Sequence, residues 1–310
     1  RPFRWSEINE RVEREHTSDN VRREALAALA AKTGRATVVY ATGFHAPTKA
    51  PLGNLMSMQI EDVSGFREIC HDLPAGALDL ILHTPGGSAD ACAGIVRLLR
   101  SRFSDIRVIV PLAAKSAGTM LAMAADRIVM LEAAELGPID PQILVGNRFV
   151  PAKAIENQFK QATADIVAEP KRIPAWVPML RDLGPSLLEE CSKALDLSRG
   201  LVSQWLRERM FNGDPDAAAK AERVAAFLAD YERHRSHARP IHVEDLAPLD
   251  VKISYLSADP DVENLVRDVW IAVDLTMLKS ATYKLLENHT AQGLYHQAQI
   301  NVQPAPTGRP

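Results

Sequence analysis

The sequence predicts a parallel α/β fold, and three observations carry that prediction. Short, nearly continuous apolar runs, Leu78–His83, Ile106–Pro111 and Arg127–Leu131, alternate with stretches of helical periodicity. Runs that are apolar on both faces suit a sheet covered by helices on each side and joined by right-handed crossovers. The chain has 310 residues, nearly half of them apolar, enough for a sizeable core and one or two domains.

The elements follow in order. Between Trp5 and about Lys32, Ala25, Leu26, Leu29 and Ala30 recur at helical spacing, which predicts a helix closed by Gly34 as C-cap. Ala36–Thr42 is β-branched and reads as a strand, and the Gly- and Pro-rich stretch Thr42–Asn54 as a loop. Asp62–Leu73 reads as a helix with Val63, Phe66, Ile69 and Cys70 on one face. Leu78–His83 is a strand, and Ser88 is placed to N-cap a helix whose stripe is Cys92, Ile95, Val96, Leu99 and Phe103. Ile106–Pro111, a small-residue helix Ala117–Ala125 and Arg127–Leu131 complete the alternation. From about Ala154 to His237 the chain reads as helical, broken at Pro170, Pro174, Pro178, Gly184–Pro185 and Gly213–Pro215. A short helix (Glu244–Leu249) and a returning strand (Val251–Leu256) follow. Asp259–Pro260 opens a long amphipathic helix to about Asn288, with Val262, Leu265, Val266, Val269 and Val273 on the face that needs a partner surface. The tail Gln303–Pro310 is expected to be disordered.

Composition excludes several function classes. A net charge of −3 and the lack of a long like-charge block give no basic footprint for nucleic acid. The 3 cysteines, Cys70, Cys92 and Cys191, lack CxxC spacing and read as free thiols of a reducing compartment, so the expected location is cytoplasmic. No apolar run is long enough to span a bilayer, and no signal-peptide core is visible. A chain that begins at Arg1 rather than Met is expected to be a processed or trimmed product.

Two segments carry the chemistry. Ser116 stands in Ala114-Lys115-Ser116-Ala117-Gly118-Thr119-Met120, between an apolar strand and an Ala-rich helix. His83-Thr84-Pro85-Gly86-Gly87 follows the preceding strand. Ligands of parallel α/β sheets sit at the carboxyl ends of the strands, so both segments are expected on one rim. Acyl transfer needs an attacking hydroxyl and donors for a developing oxyanion. Ser116 supplies the first; the N–H groups of Gly87 and Ala117 are the expected donors. The competing reading is a structural glycine turn and a serine helix cap. Met120, Leu121, Met123 and Ile139 read either as an apolar cleft or as core. His83 reads as a cleft residue or, preferably, as a structural histidine, and Gly86 as support for the turn. His234, His237 and His242 have no strong zinc spacing, and no metal or other cofactor is expected.

Leu82-His83-Thr84-Pro85-Gly86-Gly87, Ser116-Ala117-Gly118-Thr119 and Leu136-Gly137-Pro138-Ile139-Asp140-Pro141-Gln142 together resemble the serine dehydrogenase proteinase family of the Clp protease/crotonase superfamily, similar to signal peptide peptidase A. The resemblance runs over roughly residues 36–157 and, weakly, 234–256. It implies a Clp protease/crotonase-like spiral of ββα units, here with a mostly helical insertion and a long C-terminal helix, and a serine nucleophile at Ser116. The expected division is an N-terminal helical segment (1–34), a catalytic domain (35–257) with its insertion at about 158–238, and a C-terminal helix and tail (258–310).

The resemblance also bears on the base. Clp-type proteases place a histidine shortly after the next strand, but none lies between His83 and His234, and Asp140 occupies the expected place. Signal peptide peptidase A and its relatives use a lysine instead, and Val150-Pro151-Ala152-Lys153-Ala154-Ile155 resembles their lysine segment. Lys153 is therefore the expected base, with Lys160 and Lys171 in reserve. Lys115 is a poor choice, because adjacent side chains project apart. Asp140 is expected to cap a turn or to orient Lys153. His234–Ile241 resembles a recurring run of the family in which Ala238 replaces a glycine.

The expected function is an ATP-independent serine peptidase with a Ser116–Lys153 dyad, acting on peptides or unfolded chains, with no nucleic-acid partner and assembled as a homo-oligomer. No Gly-x-x-x-x-Gly-Lys-Ser/Thr motif is present to power unfolding. The alternatives are a crotonase-type acyl-CoA enzyme, in which Asp140 outweighs Ser116, and a non-catalytic assembly subunit on the same fold.

Overall fold

Two helices, α1 (Arg4–Glu15) and α2 (Asp19–Thr33), lead into the first strand, β1 (Ala36–Thr42), in a computed structural model that describes residues 4–181 and 186–298. The single N-terminal helix expected from periodicity is broken at His16, which has a φ of 54°. Thr17 Oγ1 accepts the Asp19 N–H at 3.1 Å, a local bond that competes with helix continuation. Gly34 caps α2 as expected, its N–H donating to Ala30 O at 2.8 Å.

The alternation then unfolds as α3 (Ile60–Cys70), β2 (Gly76–His83), α4 (Ala89–Arg100), β3 (Phe103–Val110), β4 (Ala113–Ala114), α5 (Ala117–Met123), β5 (Arg127–Met130) and β6 (Glu135–Leu136). Ser88 Oγ accepts the Ala91 N–H, the predicted cap of α4. A hairpin follows, β7 (Gln142–Val145) and β8 (Arg148–Pro151), then the helical insertion: α6 (Ala152–Ala168), α7 (Ile173–Leu180), α8 (Leu187–Glu208), α9 (Ala217–Ala229) and α10 (Tyr231–His234). The chain returns through α11 (Val243–Leu246) and β9 (Ile253–Tyr255), and ends in α12 (Pro260–Lys279), β10 (Thr282–Asn288) and β11 (Gly293–Gln297). The expected break at Gly184–Pro185 and the tail Gln303–Pro310 lie outside the described residues.

The central sheet has 7 strands in the order β11-β10-β1-β2-β3-β5-β9. β1, β2, β3, β5 and β9 run parallel; at one edge β10 pairs antiparallel with β1, and β11 antiparallel with β10. Every residue of β1 is buried, Thr37 and Thr42 included, as suits a central strand covered on both faces. The C-terminal helix stops at Lys279, short of the expected Asn288. Ser280 Oγ donates to Thr276 O at 2.7 Å and accepts the Thr282 N–H at 3.1 Å, turning the chain. Residues 282–288 then pair with β1, which would otherwise be an unpaired edge. Val262, Val266, Val269 and Val273 are buried, so the helix docks on its own body, against α2. Among the described residues no helix is long and apolar enough to cross a membrane.

Candidate active site

The Ser116 segment and the glycine turn are brought together by strand ends that continue past the main sheet. Thr84 N–H donates to Ala113 O at 3.1 Å and Lys115 N–H to Thr84 O at 3.0 Å. Gly86 follows with φ 103°; a Cβ there would lie 2.6 Å from Ser116 Cβ and 2.7 Å from Lys115 O. Only a glycine allows that approach.

Gly87 is held from the opposite side. Met58 N–H donates to Gly86 O at 2.7 Å, and Ser88 N–H donates to Met58 O at 2.9 Å. In such a parallel bridge the middle residue, Gly87, aims its own N–H away from Met58. Ser116 has φ 50° and ψ −117°, strained for a residue with a side chain, at a cost of about 1–3 kcal/mol. Ala117 begins α5, so its N–H has no acceptor within the helix.

Ser116 and Gly87 line a cleft of about 650 Å³. Met120 and Ile139, which belong to the core, line it too, and Leu121 and Met123 are core without lining it. The insertion contributes Ala194, Leu197 and Ser198 from α8, and the hairpin contributes Phe149.

His237 also lines this cleft, a residue that the sequence offered as a metal ligand and as part of a family-like run but not as a base. Its Nδ1 lies 2.8 Å from Asp140 Oδ1, and Asp140 is 2 % exposed. The second carboxylate oxygen accepts Gln142 Nε2–H at 2.9 Å. A carboxylate can only accept, so Nδ1 carries a proton, and in the neutral ring the lone pair is on Nε2. The parts are stitched by main-chain bonds: Leu136 N–H to Ile241 O at 2.9 Å, and Ile241 N–H to Leu136 O at 3.1 Å. Thr119 Oγ1 donates to Ala114 O at 2.8 Å and accepts Gly137 N–H at 2.9 Å, tying α5 to the Asp140 loop.

Other candidates lie elsewhere. Lys153 is the second residue of α6; its Nζ donates to Glu156 at 2.9 Å, its side chain is 35 % exposed, and it does not line the cleft. Lys115 turns to Leu136 O at 3.0 Å and Glu135 at 2.7 Å, away from its neighbour Ser116. Lys160 and Lys171 are exposed on the insertion. His83 is buried rather than in the cleft: Nδ1 accepts the Ala113 N–H at 3.3 Å and Nε2 donates to His45, which holds Asp274 at 2.7 Å. Burial, then the neighbouring His45, pushes its imidazole well below the usual range. His234 bonds Phe227 O at 2.7 Å and His242 bonds Ala134 O at 3.1 Å. Among the described residues no group of three His, Cys, Asp or Glu side chains could hold a metal.

A sequence model described as ClpP-like SDH-type serine proteinase matches residues 55–267. An uncharacterized protein of Methanocaldococcus jannaschii is 32% identical over 176 residues, 57% of this chain and 53% of that protein. A second uncharacterized protein of that organism is 46% identical over 83 residues, 27% of each chain. The chain thus spans about half the length of the first of these relatives and about a quarter of the second. Among solved structures it is similar to the 1510-N membrane-bound stomatin-specific protease, with a TM-score of 0.36, 19% identity, and coverage of 68% of this chain and 79% of that one.

Proposed function

The chain belongs to the ClpP-like SDH-type serine proteinase family, and on that premise we propose that it hydrolyses peptide bonds with a Ser116–His237–Asp140 triad. Ser116 Oγ attacks the scissile carbonyl carbon while its proton passes to His237 Nε2. The carbonyl oxygen becomes an oxyanion under the Gly87 and Ala117 N–H groups. Collapse expels the amine, which takes the proton back from His237, and leaves an acyl-enzyme that water hydrolyses by the same route. Asp140 holds the imidazole in the useful tautomer and stabilises its cationic form.

The observation that carries this reading is that Ser116 and His237 line one cleft while His237 is bonded to a buried carboxylate. The lysine base expected from sequence has weaker support, because the Lys153 ammonium is spent on Glu156 and is partly solvated. A crotonase-type carboxylate base is disfavoured, because both oxygens of Asp140 are engaged by His237 and Gln142. The cleft walls Met120, Ile139, Phe149 and Leu197 favour apolar side chains on flexible or unfolded segments. Homo-oligomer formation belongs to the same proposal and is supported by the exposed apolar residues Val167, Ile173, Val177 and Met179 of the insertion.

A fluorophosphonate probe tests the assignment. It is expected to label the wild type and Lys153→Ala, but not Ser116→Ala or His237→Ala. Equal labelling of Ser116→Ala overturns the nucleophile. Loss of labelling in Lys153→Ala, with His237→Ala intact, returns the base to lysine.

A further inference from the structure

Beneath the glycine turn lies a buried ionic cluster that the proposed chemistry does not use. Lys284 of β10 is 5 % exposed. Its ammonium donates to the Asp62 oxygens at 2.9 and 3.1 Å and to the Ser57 carbonyl at 2.9 Å. Asp62 of α3 also accepts the Gln59 N–H at 2.8 Å and the Tyr40 O–H at 2.9 Å. Burial, then the charge of Asp62, pushes the Tyr40 phenol well above its usual range, so it remains a donor. Removing an ion pair from water is tolerated only when the remaining lone pairs and protons find partners. Two of those partners, Ser57 O and Gln59 N–H, flank Met58. The N–H and carbonyl of Met58 grip Gly86 and Ser88 on either side of Gly87.

We propose that Asp62 and Lys284 are positioning residues for the oxyanion hole. By clamping Ser57 and Gln59 they fix Met58, and through Met58 they set the direction of the Gly87 N–H. The catalytic part of this inference rests on the peptidase reading. Such a donor acts only when aimed to within a few tenths of an ångström of the developing charge, so slack in the Met58 segment is felt in turnover.

The test is the double variant Lys284→Met with Asp62→Asn, which leaves no unpaired buried charge. Tyr40→Phe serves as the milder variant should the double one not fold. Three quantities are read: hydrogen exchange of the Met58 and Ser88 amides, kcat and KM on a fluorogenic peptide, and inhibition by a peptide aldehyde. In the double variant exchange should accelerate, kcat should fall about 10- to 100-fold with KM within about twofold, and aldehyde binding should weaken in step. Tyr40→Phe should show the same pattern at about two- to threefold. A merely structural pair lowers the melting temperature and leaves kcat of the folded enzyme unchanged. That result, or unchanged exchange, overturns the inference. Hydrolysis by the wild type is read separately: an inactive wild type with the exchange difference intact overturns the peptidase reading and supports the clamp.

Discussion

Replacing Asp140 by Asn isolates the base from every other part of the site. The carboxylate accepts His237 Nδ1–H through one oxygen and Gln142 Nε2–H through the other. Asparagine has one acceptor and one donor end. Gln142 presents its Nε2–H to this carboxylate, so with that amide in place the oxygen of Asn faces Gln142 and its NH₂ faces His237. His237 Nδ1 must then accept, and the ring proton moves to Nε2, the atom that has to take the proton of Ser116. The fold survives, because a buried charged hydrogen bond is exchanged for a neutral one at a net cost of about 1 kcal/mol. The expected loss in kcat is about 10³- to 10⁴-fold, or ~4–5.5 kcal/mol of barrier, with KM nearly unchanged. The assay is the rate of fluorophosphonate labelling beside peptide turnover, with the melting temperature as control. Retention of activity within about threefold of wild type refutes the triad, the more so if Lys153→Ala loses activity.

Three further outcomes follow from the same geometry. Gly86→Ala drives a Cβ to 2.6 Å from Ser116 Cβ at a φ of 103°; it should abolish labelling and destabilise by ~2–3 kcal/mol, and normal labelling would contradict the close approach. His83 is held below its ordinary value of 6.5 by burial, then by His45. Below that pH the unfolded imidazole binds a proton that the folded one refuses, so stability present above it is lost as pH falls, at up to ~1.4 kcal/mol per pH unit. Urea midpoints should fall between pH about 7 and about 5.5, and less steeply in His83→Gln; parallel slopes for the two proteins would count against it. Burial pushes the Cys70 thiol up to about 12 and raises Cys92 further, so iodoacetamide should spare both in the native protein and modify both in denaturant. Native alkylation of Cys92 at the unfolded rate would mean that the α4–α5 contact is open.

The local part of the site was legible because its signals are short-range. Gly86–Gly87 after one apolar strand and Ser116 after the next are each set by a strand end, and parallel pairing of β2 with β3 puts both ends on one rim. The cap at Gly34, the cap at Ser88 and the stripe Cys92–Ile95–Val96–Leu99 are likewise written within one or two helical turns. The hairpin β7–β8 carried a usable signal, Gly146–Asn147 between apolar pairs, that the helical texture of the following residues outweighed.

The sequence by itself determined the parallel α/β class and the two local segments, Gly86–Gly87 and Ser116–Ala117, on which the proposed nucleophile and main-chain donors rest, because periodicity and turn chemistry act between neighbours. Only the tertiary structure brought His237 and Asp140 to the cleft that Ser116 lines, and only it decided what closes the sheet. His237 reaches Asp140 across 97 positions of sequence, carried back by the insertion and by the Leu136–Ile241 bridge. Residues 282–288 become a strand because the edge of β1 needs a partner, a need invisible until the sheet exists.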